Sequence, residues 1–128
     1  MPTLTTLPIL ISFDIDGTLE VGEPQGSITM DFVRAVSHRG CIVGSCSDRP
    51  ISFQKRLWSQ HDIAVDFTAL KQNLDEVKSR FAAAAYIHIG DTEVDEYFAI
   101  QSGFRFIEVD TMEWREWSVR VLQMESER

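Results

Sequence analysis

Two short segments carry acidic residues at spacings that could do chemistry. Asp14-Ile15-Asp16-Gly17-Thr18 follows the apolar run Ile9 to Phe13, and Gly90-Asp91-Thr92-Glu93-Val94-Asp95 follows the run Ala85 to Ile89. Asp14 and Asp16 are two residues apart, so an extended chain points both carboxylates to one side, about 6 to 7 Å apart at Cα. If Asp91 joins them from a neighbouring strand end, three or four carboxylates repel one another unless a hard cation lies among them. Oxygen ligands favour Mg²⁺ over Zn²⁺ in that role. Gly17 and Gly90 suit the sharp chain exits that such a pocket needs. Each acid also has a plain structural reading. A lone Asp after a strand caps a helix or forms a turn, and Asp91 and Asp95 alone could be the acidic first turn of a helix. Two such clusters, each closing an apolar run, make a shared site the better reading.

The elements that must position these acids alternate along the chain. Ile9 to Phe13 is nearly all apolar, as a strand buried on both faces should be. Beyond Gly17, Gly22, Pro24 and Gly26, either Ser27 or Thr29 can cap a helix through Phe32, Val33 and Val36 that ends at Gly40. Cys41 to Cys46 is a second apolar run, and Pro50 stands where the first turn of a second helix tolerates it. Ile63 to Phe67 is a weaker third strand. Leu70 to Phe81 is a helix, with Leu70, Leu74, Val77 and Phe81 on one face. A fourth strand (Ala85 to Ile89), a helix (Val94 to Gln101), a fifth strand (Phe104 to Val109) and a last helix bearing Trp114, Trp117, Val121 and Met124 complete the chain. That last stripe reads as core, with a dimer face as the alternative. Strands alternating with helices imply crossovers and a mostly parallel sheet. The expected fold class is therefore α/β, a three-layer Rossmann-like sandwich on five strands, with ligands collecting beyond the strands' carboxyl ends.

The whole chain bounds the answer further. Its 128 residues, 44% apolar and 25% charged, make one domain over 1–128. At that size roughly two-thirds of the unfolded chain's surface disappears on folding. The net charge of -8 repels polyanions, so neither general nucleic-acid binding nor binding to an anionic membrane is expected. Cys41 and Cys46 on one extended run stand about 16 Å apart at ~3.3 Å per residue, well beyond disulfide reach. With no signal-like segment before Leu7, two unpaired thiols point to the cytoplasm.

Together these segments resemble the haloacid dehalogenase-like (HAD) superfamily. Asp14-Ile15-Asp16-Gly17-Thr18 matches its DxDGT nucleophile motif, and Gly90-Asp91 through Asp95 its acidic GDxxxD motif. Ser47-Asp48-Arg49 looks like the second motif, with Ser45 as a competitor for the serine role, and Lys71 fits the third-motif lysine. The resemblance covers nearly the whole chain, with one motif after each strand expected to carry one. It implies that Asp14 is a nucleophile forming an aspartyl-phosphate and that Asp16 is the general acid and base. It implies that Mg²⁺ is held by the Asp14 carboxylate, the Asp16 backbone carbonyl and Asp91, with Asp95 in support. Ser47 and Lys71 would hold the phosphoryl oxygens. A dehalogenase of the superfamily would not carry an acid where Asp16 stands, so the implied chemistry is phosphoester hydrolysis.

The cations make chemical sense, because a carboxylate attacking a phosphate dianion needs positive charge nearby. Only Leu19 to Ser27 lies between the first motif and the following helix, enough for a short flap and not for a cap domain. An open site implies a large phosphorylated substrate, or a neighbouring subunit of a homo-oligomer over the mouth. The competing functions are phosphoryl transfer to another acceptor, a catalytically idle phosphate-binding or regulatory module, and a receiver domain. A receiver carries its phosphorylated Asp after strand three, where this chain has none. Arg49 reads equally as a substrate contact or a surface residue, and His88 as a hydrogen-bonded core residue.

Overall fold

The protein is described by a computed structural model over residues 6–124. Five strands, β1 (Ile9–Phe13), β2 (Ile42–Ser47), β3 (Phe67–Leu70), β4 (Ala85–Gly90) and β5 (Arg105–Glu108), alternate with five helices. The helices are α1 (Met30–His38), α2 (Ile51–Gln60), α3 (Leu74–Arg80), α4 (Glu93–Gln101) and α5 (Met112–Gln123). All strand pairs are parallel, in the order β3-β2-β1-β4-β5. β1 is central, with Phe13 paired to Ser45 on one side and Ile89 on the other.

The absence of alternation in β1 follows from that position. Ile11 and Phe13 pack with Val33 and Val36 of α1, Trp58 of α2 and Trp117 of α5, while Leu10 packs with Leu74 and Val77 of α3 and Ala99 of α4. Each face of the strand meets its own helix layer, which gives the three-layer sandwich. The chain leaves β1 through α1 toward β2 and β3 and returns through α3 to β4 on the other side of β1, so the crevice beyond the ends of β1 and β4 is the switch point where such sheets place ligands. Trp114 meets Phe32 edge-on at 5.2 Å, and Trp117 and Val121 are buried, so these three belong to the core, while Met124 lies past the end of α5 and is exposed.

Three helices end in the same way. At α1 the N–H of Cys41 bonds to Val36 and that of Gly40 to Ser37; α4 repeats this with Phe104 on Ala99 and Gly103 on Ile100. The left-handed residue is Gly40 or Gly103, as this C-terminal motif prefers. At α2 the same pattern joins Ile63 to Trp58 and Asp62 to Ser59, with Asp62 at φ +55°. Ile63 is thus buried as the hydrophobic partner of a helix end rather than as a strand residue. The third strand consequently starts at Phe67, not Ile63, and Asp66 docks it by exchanging bonds with Val43 through its N–H and its carboxylate. The expected helix from Leu70 shifts too: Leu70 ends β3, Lys71–Asn73 forms a 3-10 turn, and the α-helix begins at Leu74.

No cap domain interrupts the fold. Thr29 rather than Ser27 caps α1, through the N–H of Phe32, and Ser27 instead bonds Asp110. The segment before α1 folds back on the loop after β1, with the Gly17 N–H on Pro24 O at 2.7 Å. No disulfide joins Cys41 and Cys46, and burial pushes the Cys46 thiol up to about 12. Among the described residues no helix is long and apolar enough to cross a membrane.

Candidate active site

The carboxyl ends of four strands supply one polar cluster. Asp14 follows β1, Ser47 ends β2, Lys71 follows β3, Asp91 follows β4, and Asp95 rises from the first turn of α4. Asp14, Lys71 and Asp95 are all buried. The Lys71 ammonium stands 3.2 Å from Asp95 Oδ1 and 3.5 Å from Asp14 Oδ1, and 3.7 Å from the exposed Asp48. One carboxylate oxygen from each of Asp14, Asp91 and Asp95 lies within 4.8 Å of the other two. Thr18 Oγ1 donates to Asp14 Oδ2 at 3.4 Å.

Two glycines make this packing feasible. Gly17 has φ +77°, and a Cβ there would fall 1.9 Å from Asp91 Oδ2. A Cβ on Gly90 would fall 2.4 Å from the Asp95 carboxyl carbon. Any side chain at either position would evict a carboxylate from the pocket.

The acids divide by what holds them. Asp95 is fully engaged: Oδ2 accepts from the Thr92 hydroxyl and N–H, closing a capping box, and Oδ1 meets both Lys71 and His88 Nε2 at 2.9 Å. Burial alone would raise its pKa, but the His88 hydrogen bond, Lys71 and Thr92 hold it below the usual carboxylate range. Asp95 is thus both the helix-start residue and a member of the cluster. Because Nε2 faces a carboxylate, it is the donor there, and Nδ1 shares a hydrogen bond with Ser12 Oγ at 2.8 Å. Asp14 is driven the other way. Burial, then the charge of Asp95, raise it to about 8, against the opposing pull of Lys71. For Lys71 itself, burial would lower the pKa, and Asp14 and Asp95 outweigh burial and raise it.

Asp16 sits apart from this cluster, at the mouth. Its Oδ2 accepts from Arg49 Nε at 2.8 Å, and its Oδ1 from Arg49 Nη2 at 3.1 Å and the Glu23 N–H at 2.8 Å. Partial burial works against ionisation, but Arg49 and the Glu23 N–H hold the carboxyl below its ordinary value. The two serines of β2 also separate. Ser45 Oγ donates to Gln54 Oε1 at 2.6 Å and accepts from Trp58 Nε1 at 2.9 Å, deep in the core. Ser47 Oγ accepts from the Arg49 N–H at 3.0 Å, at the strand end beside the acids.

The cluster fits a hard divalent cation. Asp91 Oδ1 is buried and, among the described residues, is the side-chain oxygen that lacks any hydrogen-bond partner. A buried acceptor without a donor is costly, and an oxygen-only donor set of Asp14 and Asp91 is the kind that Mg²⁺ takes. The structure brings Asp14, Asp91, Asp95 and Lys71 together, whereas the Asp16 carboxylate turns outward to Arg49. Arg49, read as equally a surface residue, clamps Asp16. His88 is hydrogen-bonded core, as read, but its partner is Asp95, which ties it to the site. No protein family, curated protein or solved structure matches the chain.

Proposed function

We propose that the protein is a Mg²⁺-dependent phosphomonoester hydrolase of the HAD type, working through an aspartyl-phosphate on Asp14. The observation that carries this reading is the pairing of a buried, strand-end Asp14 with a buried Lys71 at 3.5 Å, next to the unpartnered Asp91 oxygen. The Asp14 and Asp91 carboxylates, with the Asp16 backbone carbonyl, would hold the ion. Bound there, Mg²⁺ supplies positive charge to phosphoryl oxygens as negative charge builds on them.

The chain's own residues do the rest. A free oxygen of Asp14 attacks phosphorus, and the departing alcohol oxygen takes a proton from Asp16, which must first take that proton from solvent on leaving Arg49, since the pairing holds it ionised. Asp16 then takes a proton from water, whose oxygen attacks the acyl-phosphate phosphorus, releasing phosphate and restoring Asp14. Splitting one displacement into two lowers each barrier. Lys71 neutralises charge beside the nucleophile, and its own position is set by Asp95, itself held by His88 and Thr92. The Ser47 hydroxyl is available to a phosphoryl oxygen.

Hydrolysis of p-nitrophenyl phosphate tests this. Turnover is expected with Mg²⁺, none after chelation, and none in Asp14→Asn. Asp16→Asn should lose more activity toward alkyl than aryl phosphates, because the need for an acid grows with leaving-group basicity. Turnover that persists without divalent ions would overturn the reading. The clamp on both oxygens of Asp16 favours one alternative, an idle phosphate-binding module. Stabilisation by beryllium fluoride with Mg²⁺, without turnover of any phosphoester, would identify that case. A receiver domain is disfavoured, since its sheet order is 2-1-3-4-5 rather than the 3-2-1-4-5 found here, and Lys71 follows β3.

A further inference from the structure

An acid–base carboxylate must present an oxygen to the leaving group, yet both oxygens of Asp16 are taken, Oδ2 by Arg49 and Oδ1 by Arg49 and the Glu23 N–H. Something must draw Arg49 away before Asp16 can act. The pair is built for exchange. Its side chains are 35% and 30% exposed, against 5% and 4% for Lys71 and Asp14. Exposed ion pairs gain little net free energy, so swapping one anion for another across Arg49 is easy. If Arg49 leaves, the Glu23 N–H still anchors Oδ1, and Oδ2 becomes free.

The surroundings of Arg49 say what would replace Asp16. Its guanidinium lies over the Phe53 ring at 4.7 Å, and Arg56 approaches the same ring at 6.0 Å. From Arg49 to His61 the chain carries Arg49, Lys55 and Arg56 and no Asp or Glu, in a protein of net charge -8. α2 itself thus carries cations and no acid, whereas Arg49 also faces Asp16 and Glu23 and follows Asp48, so the attraction for an anion rests on the guanidinium fork and not on a positive surface. The guanidinium fork matches a carboxylate or a phosphate equally well. Lys71, by contrast, is committed to Asp14 and Asp95 inside the pocket.

We propose that Arg49 selects phosphomonoesters bearing a second anionic group, carboxylate or phosphate, and that this group frees Asp16 by taking Arg49 from it. The inference rests on the hydrolase reading and names its substrate class. It gives the capless site a specificity element of its own and couples recognition to the readiness of the acid.

Three phosphonates of equal length test it, ending in an amide, a carboxylate or a second phosphonate, with binding measured by thermal shift and calorimetry in the presence of Mg²⁺. The wild type should bind the two anionic probes about tenfold more tightly than the amide, as for one charge-assisted pair, and their ranking identifies which anion fits. Arg49→Gln should bind all three alike, and Arg49→Lys should recover part of the preference. With the matching alkyl phosphate esters, the second anion should raise kcat as well as lower KM, since it releases the acid. Equal binding of all three probes by the wild type overturns the proposal, as does a preference that survives in Arg49→Gln or an effect confined to KM. p-Nitrophenyl phosphate, which has no second anion, separates the two readings: Mg²⁺-dependent turnover of it without anion preference removes this inference alone. Absence of turnover of any ester removes the hydrolase reading.

Discussion

Two buried polar chains run through the carboxyl end of this sheet, one against each helix layer. On the side of α2, Trp58 Nε1 donates to Ser45, Ser45 to Gln54, and Gln54 Nε2 to the carbonyls of Ala69 and Arg49. That chain is neutral, and every donor ends on an acceptor. On the side of α4, Ser12 bonds His88, His88 meets Asp95, Asp95 meets Lys71, and Lys71 meets Asp14. That chain is built of ionisable groups, two acids and two bases, and ends beside the orphaned Asp91 oxygen. A satisfied neutral network helps specify a unique core, whereas an incompletely satisfied one needs a reason to persist. The contrast separates buried polarity that is fully satisfied within the core from buried polarity that leaves an oxygen without a donor.

The contrast breaks most sharply at Lys71. Removing one partner of a buried ion pair costs about 3–5 kcal/mol, because the other charge is left behind. At neutral pH the metal-free protein keeps the proton on Asp14, so Lys71→Met strands the Asp95 carboxylate, and unfolding in urea should show a loss toward the lower end of that range. A loss within error of zero would mean that Lys71 does not hold the charged chain together.

Removing an acid should act with the opposite sign. Asp14 is raised from 3.8 to about 8, so the native state keeps a proton that the unfolded state releases. Wild-type stability therefore falls as pH rises from about 4 to about 8 on account of this group. Asp14→Asn escapes that fall. It should be more stable than the metal-free wild type at neutral pH, on the order of a few kcal/mol, with the gap closing toward about pH 4 and levelling off above about pH 8. Saturating Mg²⁺ should narrow or reverse the gap by stabilising the wild type alone. Thermal midpoints across pH, with and without Mg²⁺, check both. A variant less stable than the wild type throughout would show that Asp14 is not an unfavourable burial.

How far the sequence reveals these two chains depends on how local their causes are. The acids of the charged chain are legible because each closes an apolar run, and β1 begins and ends where its composition says. Asp95 is legible twice over, as a helix-start acid and as a member of the acidic cluster, and the structure places it in both. Ile63 misleads because its apolar character serves the end of α2, where Asp62 takes the left-handed conformation that Gly40 and Gly103 announce elsewhere by type. Arg49 and His88 are illegible for another reason. The partner of Arg49 is 33 residues away, and His88 bonds Ser12 across 76 residues. Neither pairing leaves a local trace; strand register alone sets Ser12 opposite His88.

The smallest expected effects sharpen the comparison at the two serines of β2, which are neighbours on one strand face yet belong to different systems. Ser45→Ala leaves Trp58 Nε1 without its acceptor and Gln54 Oε1 without its donor, both buried. Leaving such groups unsatisfied costs about 1–3 kcal/mol, so the urea midpoint should fall while turnover of p-nitrophenyl phosphate by the folded fraction is retained. No charge is involved, so the loss should not vary with Mg²⁺. Ser47→Ala removes a hydroxyl that accepts one bond, from the backbone N–H of Arg49. Its stability cost should stay below about 1 kcal/mol. Its kcat/KM should drop about tenfold or more, because a donor aimed at a phosphoryl oxygen acts where charge develops. The discriminating observation is the crossing of the two effects, stability lost at Ser45 and catalysis lost at Ser47. If Ser45→Ala instead lost turnover at unchanged stability, the neutral chain would be part of the site, and the division between the two networks would fall.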